Sequence, residues 1–287
     1  MSRTTTSPDA VLRVIGAEHR TFGAGSTRID DAGERRYLRD QARLGGLVYR
    51  PETVENGAGN TFEDMAHEVL DAFAAGPGPV DLLVLSYATP DVRPIALTAA
   101  LLTPRIQGDP VILGVTDQGR TAPFTMLSLM RSYVRRHGFR RALGMAFDQS
   151  FLPYDIPRSG PHHVAGDRAV ALLLESAPPA GSPGECEVRQ ASGVDPHEAP
   201  RLLAELAADL MPPRGACLLL GPGVGDGWRL PGKPATVRRV PEGFPCTALL
   251  GGLVEQLRAA GPGPILLADY DEETGDLSVC RVEQAAA

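Results

Sequence analysis

No run of apolar residues in this 287-residue chain exceeds the length of a strand; residues 169–174 are typical. A membrane span needs ~18–20 such residues, so no membrane partner is expected. Cysteine is sparse. Cys186, Cys217, Cys246 and Cys280 stand far apart with no C-x-x-C pair, which excludes zinc-knuckle and thioredoxin-type motifs. Spaced cysteines in a chain with a full-sized core read as reduced thiols. Positive charge is also short: Lys+Arg 28 against Asp+Glu 35 gives a net charge of -7. A pI near 5.4 argues against nucleic acid as the main partner, because phosphate binding needs a basic field. Residues 1–10 are polar, with no apolar core behind their charge, so no secretory signal is expected and the chain reads as cytoplasmic.

What remains is ordinary globular stock, with hydrophobic residues at 43% and charged residues at 22%. The length predicts two domains or one large duplicated one. Glycine (32) and proline (26) make up about a fifth of the chain, which implies many tight turns. Residues 60–75 follow a helical pattern. Thr61-Phe-Glu-Asp64 resembles a capping box, and Met65, Val69, Leu70 and Phe73 share one face. A Gly-Pro break at 76–79 precedes residues 80–87, a run expected of a strand buried on both faces. A helix at 95–102, a second buried strand at 110–115, a sharp turn at 116–123, a long helix at 124–137 and strands at 140–147 and 165–175 follow. Residues 26–43 read as irregular with a basic helical patch.

The order then repeats. A helix at 199–211, a Pro/Gly stop, a buried strand at 216–220, a glycine-rich turn at 221–228, a helix at 244–260 and strands at 265–270 and 277–282 predict a duplicated α/β unit. The halves join near 176–185 (SAPPAGSPGE), giving units at 1–175 and 176–287. Strands 80–87, 110–115, 216–220 and 265–270 are expected to be central.

Three segments carry a resemblance: residues 115–127 (VTDQGRTAPFTML), residues 164–174 with Gly166 and Asp167, and residues 49–52 with the helix at 61–70. Together they resemble the thiolase superfamily, in its ketoacyl-acyl-carrier-protein synthase III-like branch. The resemblance implies a layered α/β/α/β/α fold of two duplicated halves and no cofactor. It also implies a nucleophile elbow at 116–123. The family's chemistry needs a thiolate at a helix N-terminus, plus a His and an Asn. Here the cysteine position falls on Gly119 or Arg120, the His position on Gly221 in Gly221-Pro-Gly-Val-Gly225, and the Asn position on Phe244.

Loss of the whole set implies an accessory subunit, similar to a chain-length factor, that pairs with an active ketosynthase in polyketide or fatty-acyl assembly. The alternative is an acyltransferase or decarboxylase with a non-standard site. Asp117, Gln118, Arg120 and Thr121 form a polar cluster in the elbow; they are either functional or close the turn, with Asp117 as a cap. Cys246, remote in sequence, is either a nucleophile at a helix start or a small residue filling it. His162-His163 are a base or ligand pair without a third member, or loop residues; no metal is expected. Arg131, Arg135, Arg136, Arg140 and Arg141 could dock an acidic acyl carrier protein or form a solvated face. Gly221–Gly227 lacks the spacing of a phosphate loop. By the resemblance, the chain is a homodimer or a heterodimer with an active ketosynthase, paired through the strand at 140–147.

Overall fold

The computed structural model describes residues 11–73, 76–94, 98–155, 163–177, 186–208, 210, 215–228, 234–259 and 263–284. The first half runs β1 (Val11–Phe22), α1 (Ala32–Leu44), α2 (Pro51–Asn56), α3 (Phe62–Asp71), β2 (Leu82–Tyr87), α4 (Thr98–Leu102), β3 (Val111–Val115), α5 (Ala122–His137), β4 (Arg141–Asp148) and β5 (Asp167–Ala177). The second runs β6 (Cys186–Ala191), α6 (Ala199–Ala208), β7 (Cys217–Leu220), β8 (Thr236–Arg239), α7 (Ala248–Ala259), β9 (Gly263–Asp271) and β10 (Asp276–Gln284).

Two five-stranded sheets form, in the orders β1-β5-β4-β2-β3 and β6-β10-β9-β7-β8. In each, the three strands at one end are parallel (β4, β2, β3 and β9, β7, β8), and the strand beside them, β5 or β10, is antiparallel to both its neighbours, so β2 and β7 hold equivalent places. The core follows the layers. One apolar cluster puts Met65, Val69 and Leu70 of α3 on one face of the first sheet. Another puts Leu203 and Ala207 of α6 on the far face of the second. Between the sheets lie α5 and α7, with Met126, Met130, Leu250 and Leu253 packed against Val84, Leu172, Leu219 and Leu267. The architecture is the expected layered α/β/α/β/α arrangement of two similar halves.

Local chemistry starts the helices. Asp31 caps α1 by accepting from the Glu34 amide at 2.9 Å, which organises a segment that composition alone marks as irregular. Thr61 caps α3 through the Asp64 amide at 3.0 Å, and Asp91 takes the Phe62 amide at 3.1 Å. The helix in the elbow begins at Ala122, after a 3-10 turn at Gly119–Thr121, and α7 begins at Ala248; both starts differ from expectation. α2, β6 and β8 are additions that periodicity missed, being short or fully exposed.

Two expectations are overturned. β3 is not central but an edge strand, with Val111 41% and Ile112 37% exposed; an apolar run does not distinguish two-sided burial from an open edge. The strand predicted at 140–147 cannot pair across a two-fold. As β4 it is the central strand of its sheet, with β2 on one side and β5 on the other, and both backbone edges are spent. Residues 95–97 and 178–185, within the predicted helix and linker, lie outside the described residues.

The halves are tied by two mirrored contacts. Asp148, which ends β4, reaches into the second half and accepts from the amides of Cys246 (3.0 Å) and Thr247 (2.8 Å) and from the Thr247 hydroxyl (2.5 Å). Asp271, which ends β9, accepts from the Arg120 amide at 3.1 Å. In both places a strand-end carboxylate of one half meets the turn that starts a helix of the other, where free amides favour an anion.

Removing the Asp148 side chain strands two amides and a hydroxyl in a dry interior. Asp148→Ala is therefore expected to cost ~2–4 kcal/mol in urea unfolding. Burial pushes the Asp148 carboxyl up to about 6, against the pull of the Thr247 and Cys246 hydrogen bonds and the Arg168 charge. The folded state thus holds this proton more tightly than the unfolded chain. Its contribution is full below the ordinary carboxyl range and declines as pH climbs from there to about 6. Urea midpoints compared across that window should fall less steeply in Asp148→Asn than in the natural chain.

Candidate functional site

The elbow follows β3. Asp117 adopts a left-handed φ of 60°, the one such non-glycine among the described residues, and Gly119 has φ 47°. The Thr121 amide and hydroxyl bond to the Gln118 carbonyl at 3.0 and 2.8 Å, and Asp271 holds the Arg120 amide. The amides an elbow would offer to a developing oxyanion are therefore occupied. Thr121, not Asp117, is the N-cap of α5; Asp117 lies exposed, its charge acting on the hydroxyls of Tyr87 and Tyr154. The polar cluster read from the sequence thus splits.

Arg120 goes elsewhere. It lines a cavity of ≈ 10 Å³ at the junction of the halves, together with Pro222, Gly243, Phe244, Pro245, Ala248, Leu249 and Asp269. Phe244 lies under the Arg168 guanidinium, 4.2 Å from its ring centre, a cation–π contact. At Gly221, a β-carbon would fall 2.1 Å from the Asp269 carboxyl carbon; at Gly223, 1.7 Å from the Tyr270 carbonyl. Both positions admit only glycine. Of the positions where Cys, His and Asn were sought, Arg120 and Phe244 line the cavity, and Gly221 lies against Asp269, which lines it as well.

Asp269 accepts from the amides of Gly223 and Tyr270, both at 2.9 Å. Burial raises its carboxyl to about 7; the Arg120 charge and the two amides pull it down, and the neighbouring Asp271 pushes it up. Neither Asp269 nor Asp148 stood out in the sequence. Each carries the same available signal, an acid closing an otherwise apolar strand (LLADYD, MAFD).

Cys246 is remote in sequence but not in space: its Sγ lies 3.9 Å from the Gly119 carbonyl oxygen. Arg120-Thr121-Ala122 and Cys246-Thr247-Ala248 are counterparts, each leading into a helix and each held by the other half's carboxylate. Cys246 is fully buried, and burial together with the Asp148 charge pushes its thiol far above the ordinary range. A thiol held protonated is a poor nucleophile. His163 is half-buried and His162 lies outside the described residues. Among the described residues no group of three or more His, Cys, Asp or Glu could hold a metal ion. Arg140 and Arg141 pair with Glu175 at 3.5 and 3.0 Å, whereas Arg136 is exposed at the end of α5. Among the described residues no helix is long and apolar enough to cross a membrane.

No protein-family model and no curated protein matches the chain. Solved structures do. The tetronic acid condensing enzyme AbyA1 matches with TM-score 0.59 at 17% identity, over 95% of this chain and 99% of that one. The 3-oxoacyl-(acyl carrier protein) synthase III of Pseudomonas aeruginosa matches with TM-score 0.58 at 15% identity, over 96% and 98%. ChlB3 matches with TM-score 0.59 at 15% identity, over 96% and 98%. The chain shares the thiolase-like fold of these structures.

Cys246 should resist alkylation. Iodoacetamide labelling of the folded chain, followed by peptide mass spectrometry, is expected to modify Cys246 at least ~100-fold more slowly than in the urea-unfolded chain.

Proposed function

We propose that this chain is a ketosynthase-like subunit without condensing activity, pairing with an active ketosynthase in polyketide or fatty-acyl assembly as a chain-length factor does. The observation that carries the reading is the composition of the junction cavity. Arg120 (or Gly119), Gly221 and Phe244 stand where the resemblance expects the thiol, the His and the Asn; Arg120 and Phe244 line the ≈ 10 Å³ of space, and Gly221 lies against Asp269, which lines it too. Decarboxylative condensation requires an acylated nucleophile and donors that stabilise the enolate as carbon dioxide leaves. Glycine and arginine cannot be acylated by a thioester in this way, and Gly221 and Phe244 offer no side-chain donor. The elbow amides, the last resource for an oxyanion, are spent on Asp271 and Gln118.

A second reading, an acyltransferase or decarboxylase acting through Asp117, Gln118 or Cys246, draws support from one observation: a carboxyl titrating near neutrality, Asp269, lies beside the elbow. Incubation with malonyl and acyl thioesters separates the two readings. The accessory reading expects no β-ketoacyl product, against an ordinary synthase scale of ~1 s⁻¹ or above, and no acyl adduct by intact mass spectrometry. A covalent adduct would favour the second.

The partner is proposed to dock on β3. Its outer edge carries no strand among the described residues, and Val111 and Ile112 are exposed along it; an open apolar edge is a template for strand addition. The four cysteines are free thiols, which suits the reducing cytoplasm. The exposed end of α5, with Arg136, supplies a basic surface for an acyl carrier protein. Light scattering at micromolar concentration, alone and with a co-encoded synthase, is expected to give a dimer in at least one condition. Ile112→Lys should shift it to monomer, while circular dichroism stays unchanged.

A further inference from the structure

We propose that Arg120 and Asp269 together form a plug that keeps acyl chains out of the junction between the halves. The assignment rests on the accessory-subunit reading and gives it a physical cause: exclusion of the substrate, over and above loss of the nucleophile. The two side chains enter the cavity from opposite halves, Arg120 from the elbow and Asp269 from the central strand of the second sheet.

Asp269 is fixed in place, since swinging it out would release the Gly223 and Tyr270 amides together. The backbone is moulded around its carboxylate: Gly221 has no room for any side chain, and Gly223 lies against β9 itself. Arg120 is pinned through its own amide by Asp271, and its charge stabilises the ionised form of Asp269. What is left, ≈ 10 Å³, is the space of about one water and admits no alkyl chain. Clefts elsewhere reach ≈ 470 and ≈ 320 Å³, so the closure is local to the elbow.

Octanoyl-CoA is the probe, and Trp228 is the reporter. It is the chain's single tryptophan, and its ring lies 5.7 Å from that of Tyr270, the residue after Asp269. Arg120→Ala keeps the backbone amide that Asp271 holds, so the fold is retained; Asp269→Ala opens the cavity from the other side. Both truncations are expected to bind octanoyl-CoA at least about tenfold more tightly than the natural chain. Asp269→Asn, which preserves the volume, should bind as weakly as the natural chain.

Three results would overturn the plug: a natural chain that binds as tightly as the truncations, folded truncations that gain nothing, or an Asn variant that opens like the Ala variant. Condensation by the natural chain would instead sink the accessory reading. The two failures are read in separate assays.

Discussion

The carboxylate of Asp148, wholly out of water, accepts three hydrogen bonds from the turn that starts a helix in the other half of the molecule. Without that contact the N-terminus of α7 would present unpaired amides to an apolar core, where each costs as much as a lost hydrogen bond or more. Asp271 does the corresponding work for α5. Two α/β units, each with a sheet and an outer helix that could bury its own apolar face, are thereby joined through their inner helices. α5 lies against β6 and α7 against β1, so each half packs its central helix on the other's edge strand.

The same exchange of contacts decides what stands at the junction. Both helix starts converge on the internal pseudo-two-fold, and the residues there, Arg120 and Cys246, are equivalent by position but opposite in character. One is charged and lines a small cavity; the other is buried beside a carboxylate and held as a thiol. A place that could concentrate two helix dipoles on a reacting group instead spends them on side chains of the protein itself. Such a centre is held rigidly from both halves.

The layers and the duplication were legible in the sequence because buried parallel strands read as unbroken apolar runs, as in residues 80–87 and 216–220, and because Pro/Gly breaks mark the helix ends. The glycines at 221 and 223 were visible as a turn, but their cause was not. Nothing local to them shows that Asp269, far along the chain, needs their missing side chains. The placement of the 110–115 strand failed for a related reason. A run such as VILGV has the same pattern whether its second edge meets a strand or solvent, since hydrogen-bond partners leave no mark on side-chain periodicity. The polar cluster at 117–121 failed on direction: adjacent residues in a turn of positive φ point to different surroundings, so proximity in sequence did not become proximity in space.

The edge of β3, open among the described residues, also bears on how the chain can persist in a crowded solution. Bare amides and carbonyls along an apolar strand pair with whatever extended segment arrives, including the same strand of an identical copy. Molecules with that edge covered are withdrawn from this competition, and those in excess are not. By mass action, occupancy rises with the concentration of the covering chain. On the proposed docking, the soluble amount of this protein would be tied to the abundance of its partner, whatever its own rate of synthesis.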